Sequence, residues 1–201
     1  MRTITALTTA LLLATSSFAQ DDLSAAFGRS YKNEAYKKYP EAIADLTAHY
    51  DAASYPLNLR LGWLHYLAGD QAKSVTYYEK AIALEPKSVE ARMGLTYPLS
   101  ASENWAALER VYHAVLSIDP NNTRARYGLG LMMYNRKEYA KCAEHLNKVL
   151  ALYPFDKDSL LLAAWCNVSL GEVAKARVQF RTALLFDPEN ASAKQGLAGL
   201  N

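Results

Sequence analysis

Four nine-residue segments decide the fold of this chain, and they read YEKAIALEP at 78–86, YHAVLSIDP at 112–120, LNKVLALYP at 146–154 and FRTALLFDP at 180–188. Each segment begins with a large side chain, has Ala or Val at its fourth position and ends in proline. The four prolines are equally spaced, and proline ends a helix because it has no amide hydrogen and clashes with the preceding turn. A pattern that recurs in phase predicts an array of similar structural units.

The 34-residue unit has the length of a helix pair. A small residue recurs 24 positions before each proline, where it lets the two helices of one unit approach closely. These residues are Gly62, Thr96, Gly130 and Ala164. Gly69-Asp70 and Gly171-Glu172 predict the turn inside the unit, since Gly tolerates the left-handed conformation that follows a helix. The sequence therefore predicts two helices of roughly a dozen residues in each unit.

This pattern resembles the tetratricopeptide-repeat (TPR) family over about residues 55 to 201. The motifs that carry the resemblance are Leu61-Gly62, Leu67-Ala68-Gly69-Asp70, Tyr78 with Ala81, Glu85-Pro86, Asp119-Pro120-Asn121-Asn122, Tyr127-Gly128-Leu129-Gly130, and Ala183 with Asp187-Pro188. The resemblance implies an all-α fold, a TPR-type right-handed superhelix of antiparallel helix pairs. It also implies a concave face lined by the first helix of each unit.

The repeat phase predicts the organisation of the whole chain. We expect four in-phase units at about 55–88, 89–122, 123–156 and 157–190, preceded by a degenerate unit or cap at 20–54 and followed by a capping helix within 189–201. Phe27-Gly28 lies one repeat length before Leu61-Gly62, which places the degenerate unit in phase. Thr96 and Pro98 depart from the family pattern, and we expect them to disturb the first helix of the unit 89–122. Tyr153 also departs from it, because it replaces the acidic residue before Pro154.

The first 19 residues have the features of a signal peptide. Arg2 gives a positive start, Ile4 to Ala14 are apolar apart from Thr, and Ser17-Phe18-Ala19 fits the small-x-small pattern before a cleavage site. A buried first helix of the mature fold is the alternative. We expect an exported protein, most simply periplasmic, with secretion or the cell surface as alternatives, and no transmembrane segment in the mature chain.

The family resemblance implies which side chains line the concave groove. In the family, the residue after Gly62 and its equivalents points inward, and residues one helical turn away share its face. The predicted groove consists of Leu59, Trp63, Tyr66, Met93, Tyr97, Tyr127, Leu131, Tyr134, Asn135, Leu161 and Trp165. Aromatic side chains dominate protein-binding hot spots, so this set predicts a groove for a partner protein or peptide. The alternative is that some rings only pack against the next repeat.

Three functions follow from these features. The first is an extracytoplasmic scaffold that binds a partner protein or peptide, in cell-envelope assembly or transport. The second is a self-assembling structural module, a homo-oligomer that stacks through a C-terminal cap weakened by Gly196 and Gly199. The third is a binder of glycans or small ligands, whose rings stack on sugars.

The composition argues against other classes of function. A net charge of +2 without a basic run disfavours a nucleic-acid partner. No catalytic motif rises above chance, and no histidine has the spacing of a zinc site, so we expect no enzyme activity, no metal and no cofactor. The paired Lys and Asn side chains that hold a C-terminal carboxylate in one well-known family groove are missing from the corresponding positions.

The two cysteines leave their chemistry open. Cys142 falls in the second helix of one unit and Cys166 in the first helix of the next, at heights that differ by at most about one helical turn. They could form a disulfide in an oxidising compartment, or remain two buried free thiols.

Overall fold

The computed structural model describes residues 21–200, and all of its regular structure is α-helical over that range. The first helix, α1, spans 21–35 within the described residues. The others are α2 (Tyr39–Thr47), α3 (Tyr55–Leu67), α4 (Gln71–Leu84), α5 (Val89–Ala101), α6 (Trp105–Ile118), α7 (Thr123–Asn135), α8 (Tyr139–Leu152), α9 (Lys157–Ser169), α10 (Val173–Phe186) and α11 (Ala191–Ala198). The predicted signal peptide at 1–19 lies outside the described residues.

The helices repeat with the predicted period. The odd-numbered helices α3, α5, α7 and α9 begin at Tyr55, Val89, Thr123 and Lys157, each one repeat length after the one before. The even-numbered helices α4, α6, α8 and α10 begin at Gln71, Trp105, Tyr139 and Val173 with the same spacing. The chain divides after Asn104 into two compact units, of which the first contains α1 to α5 and the second α6 to α11.

Local sequence sets the ends of these helices. The side chains of Ser54, Ser88, Asn122, Asp156 and Asn190 each accept a hydrogen bond from the backbone N–H three residues later, which caps α3, α5, α7, α9 and α11. The turn after each odd-numbered helix from α1 to α9 needs one residue at positive φ, and the residues there are Lys37, Gly69, Glu103, Lys137 and Gly171. Glycine therefore occupies the positive-φ position in two of these five turns, and Lys or Glu adopts the strained conformation in the other three.

The first unit packs around the pair α3 and α4. Leu57, Leu61 and Leu64 of α3 are fully or almost fully buried against Ala42 and Leu46 of α2. Helices α3 and α4 approach closely at Gly62, the predicted small position, where the buried hydroxyl of Ser74 donates to the Gly62 carbonyl over 2.7 Å. The Tyr78 ring, 2% exposed, lies against both Gly62 and Gly94 and joins α3 to α5.

The second unit has two buried clusters. The first contains Leu146 and Leu162 together with Cys142 and Cys166, which the structure joins in a disulfide between α8 and α9 with their Cα atoms 6.6 Å apart. The second gathers around the Phe180 ring and includes Ala193 of α11. Helix α11 thus covers the end of this unit, and a side chain at Gly196 would collide with the Phe180 ring.

Helix α5 does not break at Pro98, contrary to the expectation that Thr96 and Pro98 disturb it. It keeps 13 residues, the length of α3, α7 and α9, with Pro98 fully buried inside it. The Thr96 hydroxyl donates to the Met93 carbonyl over 2.6 Å, which uses its polar group inside the helix. Among the described helices, none is long and apolar enough to cross a membrane.

Candidate binding surface

Three aromatic side chains of the predicted groove meet in the first unit. The ring centroids of Trp63 and Tyr66 on α3 are 5.5 Å apart, and the Tyr97 ring of α5 lies 5.5 Å from Trp63 and 5.4 Å from Tyr66. The Trp63–Tyr97 contact is edge-to-face, a geometry that aromatic pairs favour. All three side chains are half-buried, so each keeps a solvent-accessible part. We call these three residues the aromatic triad.

The triad is anchored to α1 by one carboxylate. Glu34 accepts a hydrogen bond from the indole Nε1–H of Trp63 over 2.8 Å and forms an ion pair with Arg60. The Arg60 side chain is 8% exposed and also donates to the Ser30 hydroxyl over 3.4 Å. Its guanidinium lies 3.9 Å from the centroid of the exposed Tyr31 ring. The buried guanidinium of Arg60 is thus paired with Glu34 and stacked on Tyr31. Because Arg60 holds the Glu34 carboxylate in place, the hydrogen bond from that carboxylate fixes the Trp63 ring before any ligand binds.

The other predicted residues of the first unit offer less surface. Leu59, on α3 with Trp63 and Tyr66, is half-buried, whereas Met93 on α5 is only 9% exposed. Met93 is one of the buried residues of α5. The accessible part of this surface is therefore the aromatic triad with Tyr31 and the half-buried Leu59.

The predicted residues of α9 lie at the edge of the second unit's core. The Trp165 ring packs edge-to-face against Phe180 at 5.2 Å, and its Nε1–H donates to the Ser192 hydroxyl over 2.8 Å. Leu161 packs, half-buried, against the same cluster. Trp165 therefore has both a structural contact and a solvent-accessible part, and the bond to Ser192 orients its ring from α11.

The predicted residues of α7 differ in exposure. Leu131, at 40%, and Asn135 are exposed, while Tyr127 and Tyr134 are half-buried against the core. The Tyr134 ring contacts Tyr139 edge-to-face at 5.6 Å. Burial raises the pKa of the Tyr127 hydroxyl, and the carboxylates of Asp158 and Asp156 raise it further, so this phenol stays neutral and can donate a hydrogen bond.

The arrangement supports binding contacts more readily than chemistry. Within residues 21–200, no group of three or more His, Cys, Asp or Glu side chains is placed to hold a metal ion. What the surface offers is rigid aromatic area with a few fixed hydrogen-bonding groups, the composition typical of protein-binding hot spots.

Sequence reasoning missed the residues that anchor the triad, namely Glu34, Arg60 and Tyr31. In the repeat phase, the α1 residue that aligns with Trp63 is Arg29, which pairs with Asp45 of α2. One signal was present in the sequence. Arg60 occupies a column otherwise filled by Gly or Leu, at Gly94, Gly128, Leu162 and Gly196. A long cation in a column of small or apolar residues indicates a buried partner.

Two models of the tetratricopeptide repeat match this chain, at residues 57–88 and 100–157. Superkiller protein 3 of Schizosaccharomyces pombe is 22% identical over 152 residues, which covers 72% of this chain and 11% of that protein. The peroxisomal targeting signal receptor of Eremothecium gossypii is 29% identical over 97 residues, which covers 48% of this chain and 17% of that protein. The chain thus spans only a small part of the length of these relatives.

Solved structures show the same fold at low sequence identity. A tetratricopeptide-repeat protein from Parabacteroides merdae superposes with a TM-score of 0.76 at 17% identity, over 90% of this chain and 72% of that one. MamA gives 0.72 at 18% identity, over 86% and 95%. YrrB gives 0.69 at 15% identity, over 88% and 92%. This likeness confirms the predicted fold class, an all-α TPR superhelix of antiparallel helix pairs. Together, the two repeat matches and this fold show that the chain contains tetratricopeptide repeats, at residues 57–88 and 100–157, in a TPR-type fold.

Proposed function

We propose that this chain is an extracytoplasmic scaffold that binds a partner protein or peptide through the aromatic triad of α3 and α5, in cell-envelope assembly or transport. The observation that carries the proposal is the aromatic triad. Trp63, Tyr66 and Tyr97 are in mutual contact at 5.4 to 5.5 Å yet remain solvent-accessible. Rings that served only the core would be buried, as the Tyr78 ring is at 2% exposure.

The fixed orientation of the rings favours a binding role. Glu34 holds the Trp63 indole, and Ser192 holds the Trp165 indole. A pre-oriented side chain loses little conformational entropy when a ligand binds, so more of its contact energy contributes to affinity. Large rigid rings of this kind form the anchors of protein and peptide interfaces.

The names of similar proteins agree with a peptide or protein ligand. YrrB is described as a TPR protein with an unusual peptide-binding site, and one matching relative is a peroxisomal targeting signal receptor. We extend from them only the class of ligand, a polypeptide, since the chain covers 17% of that receptor and is 15% identical to YrrB.

Two features support the extracytoplasmic part of the proposal. Residues 4–14 are apolar apart from Thr and precede the small-x-small tripeptide Ser17-Phe18-Ala19, as in a signal peptide. The disulfide between Cys142 and Cys166 fits an oxidising compartment, because the cytosol keeps most thiols reduced.

The test compares partner capture by the mature chain with capture by a triad variant. Tyr66→Ala with Tyr97→Ala removes two rings and leaves the Glu34 bond to Trp63 in place. We prefer these positions to Trp165, whose ring packs on Phe180 and whose loss would leave a cavity. From an envelope extract of the source organism, we expect a protein that the wild type retains and the variant loses. Equal retention by both would reject the aromatic surface as the binding site.

A further inference from the structure

One of the repeat turns departs from the others in a way that folding does not explain. The residues on either side of the proline are Glu85 and Lys87 in the first turn, Asp119 and Asn121 in the second, and Asp187 and Glu189 in the fourth. In the third turn they are Tyr153 and Phe155, and both side chains are 60% exposed. The same turn thus forms with polar residues three times in this chain, so the two exposed rings are not required to form it.

The rings of this turn border a cavity of about 530 Å³ in the second unit. Its apolar wall is made by Val149, Leu152, Tyr153 and Phe155, and its polar rim by Thr123 and Asp156. Leu152 is itself 46% exposed, so the apolar wall is open to solvent on one side. A volume of this size accommodates one large side chain with its neighbours, since ligand pockets measure about 300–1,000 Å³.

A third exposed ring extends the apolar wall. Phe186, at the end of α10, is 54% exposed, and its centroid lies 4.9 Å from that of Phe155. Contiguous exposed apolar surface with a polar rim marks an interaction site on a soluble protein. None of these residues belongs to the predicted groove, so the site is independent of the proposed function.

The rim determines the charge of a suitable ligand. Asp156 lines the cavity, and its carboxylate caps α9 by accepting the N–H of Ser159 over 2.9 Å. Asp158, two residues later, is also exposed. The cation between them, Lys157, has its ammonium 3.4 Å from a carboxylate oxygen of Asp187. The cavity lining therefore carries one carboxylate, that of Asp156, and the exposed Asp158 adds a second negative charge two residues later in the chain.

We propose that this cavity is a docking site for a segment of a partner protein that inserts one large apolar side chain and places a Lys or Arg beside Asp156. The apolar wall selects the anchor, and the carboxylate of Asp156 selects the neighbouring cation by charge complementarity. We call it the turn site, defined by Thr123, Val149, Leu152, Tyr153, Phe155 and Asp156.

The probe is a displayed library of random twelve-residue peptides, selected on residues 20–201. The matched variant is Tyr153→Asp with Phe155→Asn, which gives the third turn the Asp-Pro-Asn sequence of 119–121 and so preserves its folding. We expect peptides with an aromatic or large aliphatic residue next to Lys or Arg, and an affinity loss of about tenfold or more on the variant. Leu185→Gln, which alters a side chain 76% exposed outside the cavity lining, should leave their affinity unchanged.

A second variant isolates the charge. Asp156→Asn keeps a good helix cap, because Asn and Asp cap about equally well, but it removes the rim carboxylate. We expect it to weaken the basic peptides severalfold and to reduce their salt dependence. A photo-crosslinker at the anchor position of a selected peptide should label residues of the turn site, a readout that requires no variant to fold.

Three outcomes would overturn the proposal. The first is selection of peptides that bind the wild type and the turn variant equally. The second is a preference for acidic peptides, or an affinity that Asp156→Asn leaves unchanged. The third is self-association of the chain in sedimentation that the turn variant abolishes, which would assign the apolar surface to a second copy.

Discussion

A methyl group built on Gly94 would lie less than 3.0 Å from three atoms of the Tyr78 side chain. The ring of one repeat therefore occupies the space that a side chain on the next repeat would need. Tyr112 stands in the same relation to Gly128, and Phe180 to Gly196. At the junction of α8 and α9 both partners are Leu, at Leu146 and Leu162 within one buried cluster. Each of these four junctions thus combines a large residue with Gly, or two residues of intermediate size.

This relationship predicts the effect of Gly94→Ala on stability. The added methyl group must displace the Tyr78 ring, which is 2% exposed, and such overpacking costs roughly 1–3 kcal/mol. The matched control is Gly28→Ala on α1, where nothing lies within 4 Å of an added Cβ. There we expect a gain of up to about 1 kcal/mol from helix propensity. Urea unfolding of both variants measures the two effects, and equal shifts would contradict the packing explanation.

A double-mutant cycle at the last junction tests the same relationship by compensation. Gly196→Ala alone should destabilise the chain, because a Cβ there would collide with the Phe180 ring. Phe180→Leu makes room for that methyl group at the cost of a smaller buried side chain. We expect the double variant to be more stable than the sum of the single effects by about 1 kcal/mol or more. Additive free energies of unfolding would show that the ring does not determine the residue at position 196.

The fold was largely predictable because its signals recur. The helix positions, the turns at Gly69 and Gly171 and the close approach of the two helices at Gly62 all follow from positions that recur in the repeats. The packing role of Gly196 could not be predicted from these recurring positions. By its helix propensity it weakens α11, yet the structure requires a residue without a side chain there, because α11 packs on the Phe180 ring.

The candidate surface was less predictable, because Glu34 and Arg60, which anchor it, are not repeated from one unit to the next. Glu34 lies on α1, where the repeat phase is irregular, and no column aligns it with Trp63 or Arg60. The exposure of each predicted residue also depends on its neighbours. Trp63 and Met93 were predicted from columns of the same pattern, but Met93 is buried at 9%. Contacts that arise once in a repeat array leave no periodic signal in the sequence.

Two histidines with restricted access to solvent make stability depend on pH. Burial lowers the pKa of His65, against the opposing effect of Asp70, and burial likewise lowers the pKa of His145, against Glu144. Because their folded pKa values lie below the unfolded value of about 6.5, the folded chain binds fewer protons than the unfolded chain. Their contribution to stability is therefore fully present above about pH 6.5 and is lost as the pH falls through that value towards the folded pKa.

The corresponding measurement is the free energy of unfolding in urea at about pH 7.5 and about pH 5.5. We expect it to fall at the lower pH in the wild type, and to fall less in the variant His65→Gln with His145→Gln. His113→Gln, at an exposed position, serves as the comparison and should change the dependence less than the double variant does, because His113 has the smallest of the electrostatic effects on the pKa of His145. A variant that retains the full loss between these pH values would assign it to other groups.

The disulfide predicts a loss of stability on reduction. It joins α8 to α9 across a sequence separation of 24, and both cysteines are fully buried. Removing it by Cys142→Ala with Cys166→Ala should cost roughly 2–4 kcal/mol, since the unfolded chain regains the freedom that the cross-link removed. Thiol labelling of the unfolded protein with and without reductant counts the reactive thiols and so shows directly whether the bridge is present. Two reactive thiols before reduction would show that the bridge does not form.

The proposed function requires the aromatic triad to bind a polypeptide partner, and the affinity of a captured partner, measured by calorimetry, tests this requirement. The comparison is between wild type, Tyr66→Ala with Tyr97→Ala, and the control Tyr36→Ala, which removes a ring that is 68% exposed on the first unit but makes no contact with the triad's rings. We predict that the triad variant loses about 100-fold in affinity, as expected for two hot-spot rings, while its helicity and urea midpoint show that it is folded. We predict no change for Tyr36→Ala. Equal affinities of the wild type and the folded triad variant would show that the aromatic triad does not bind the partner.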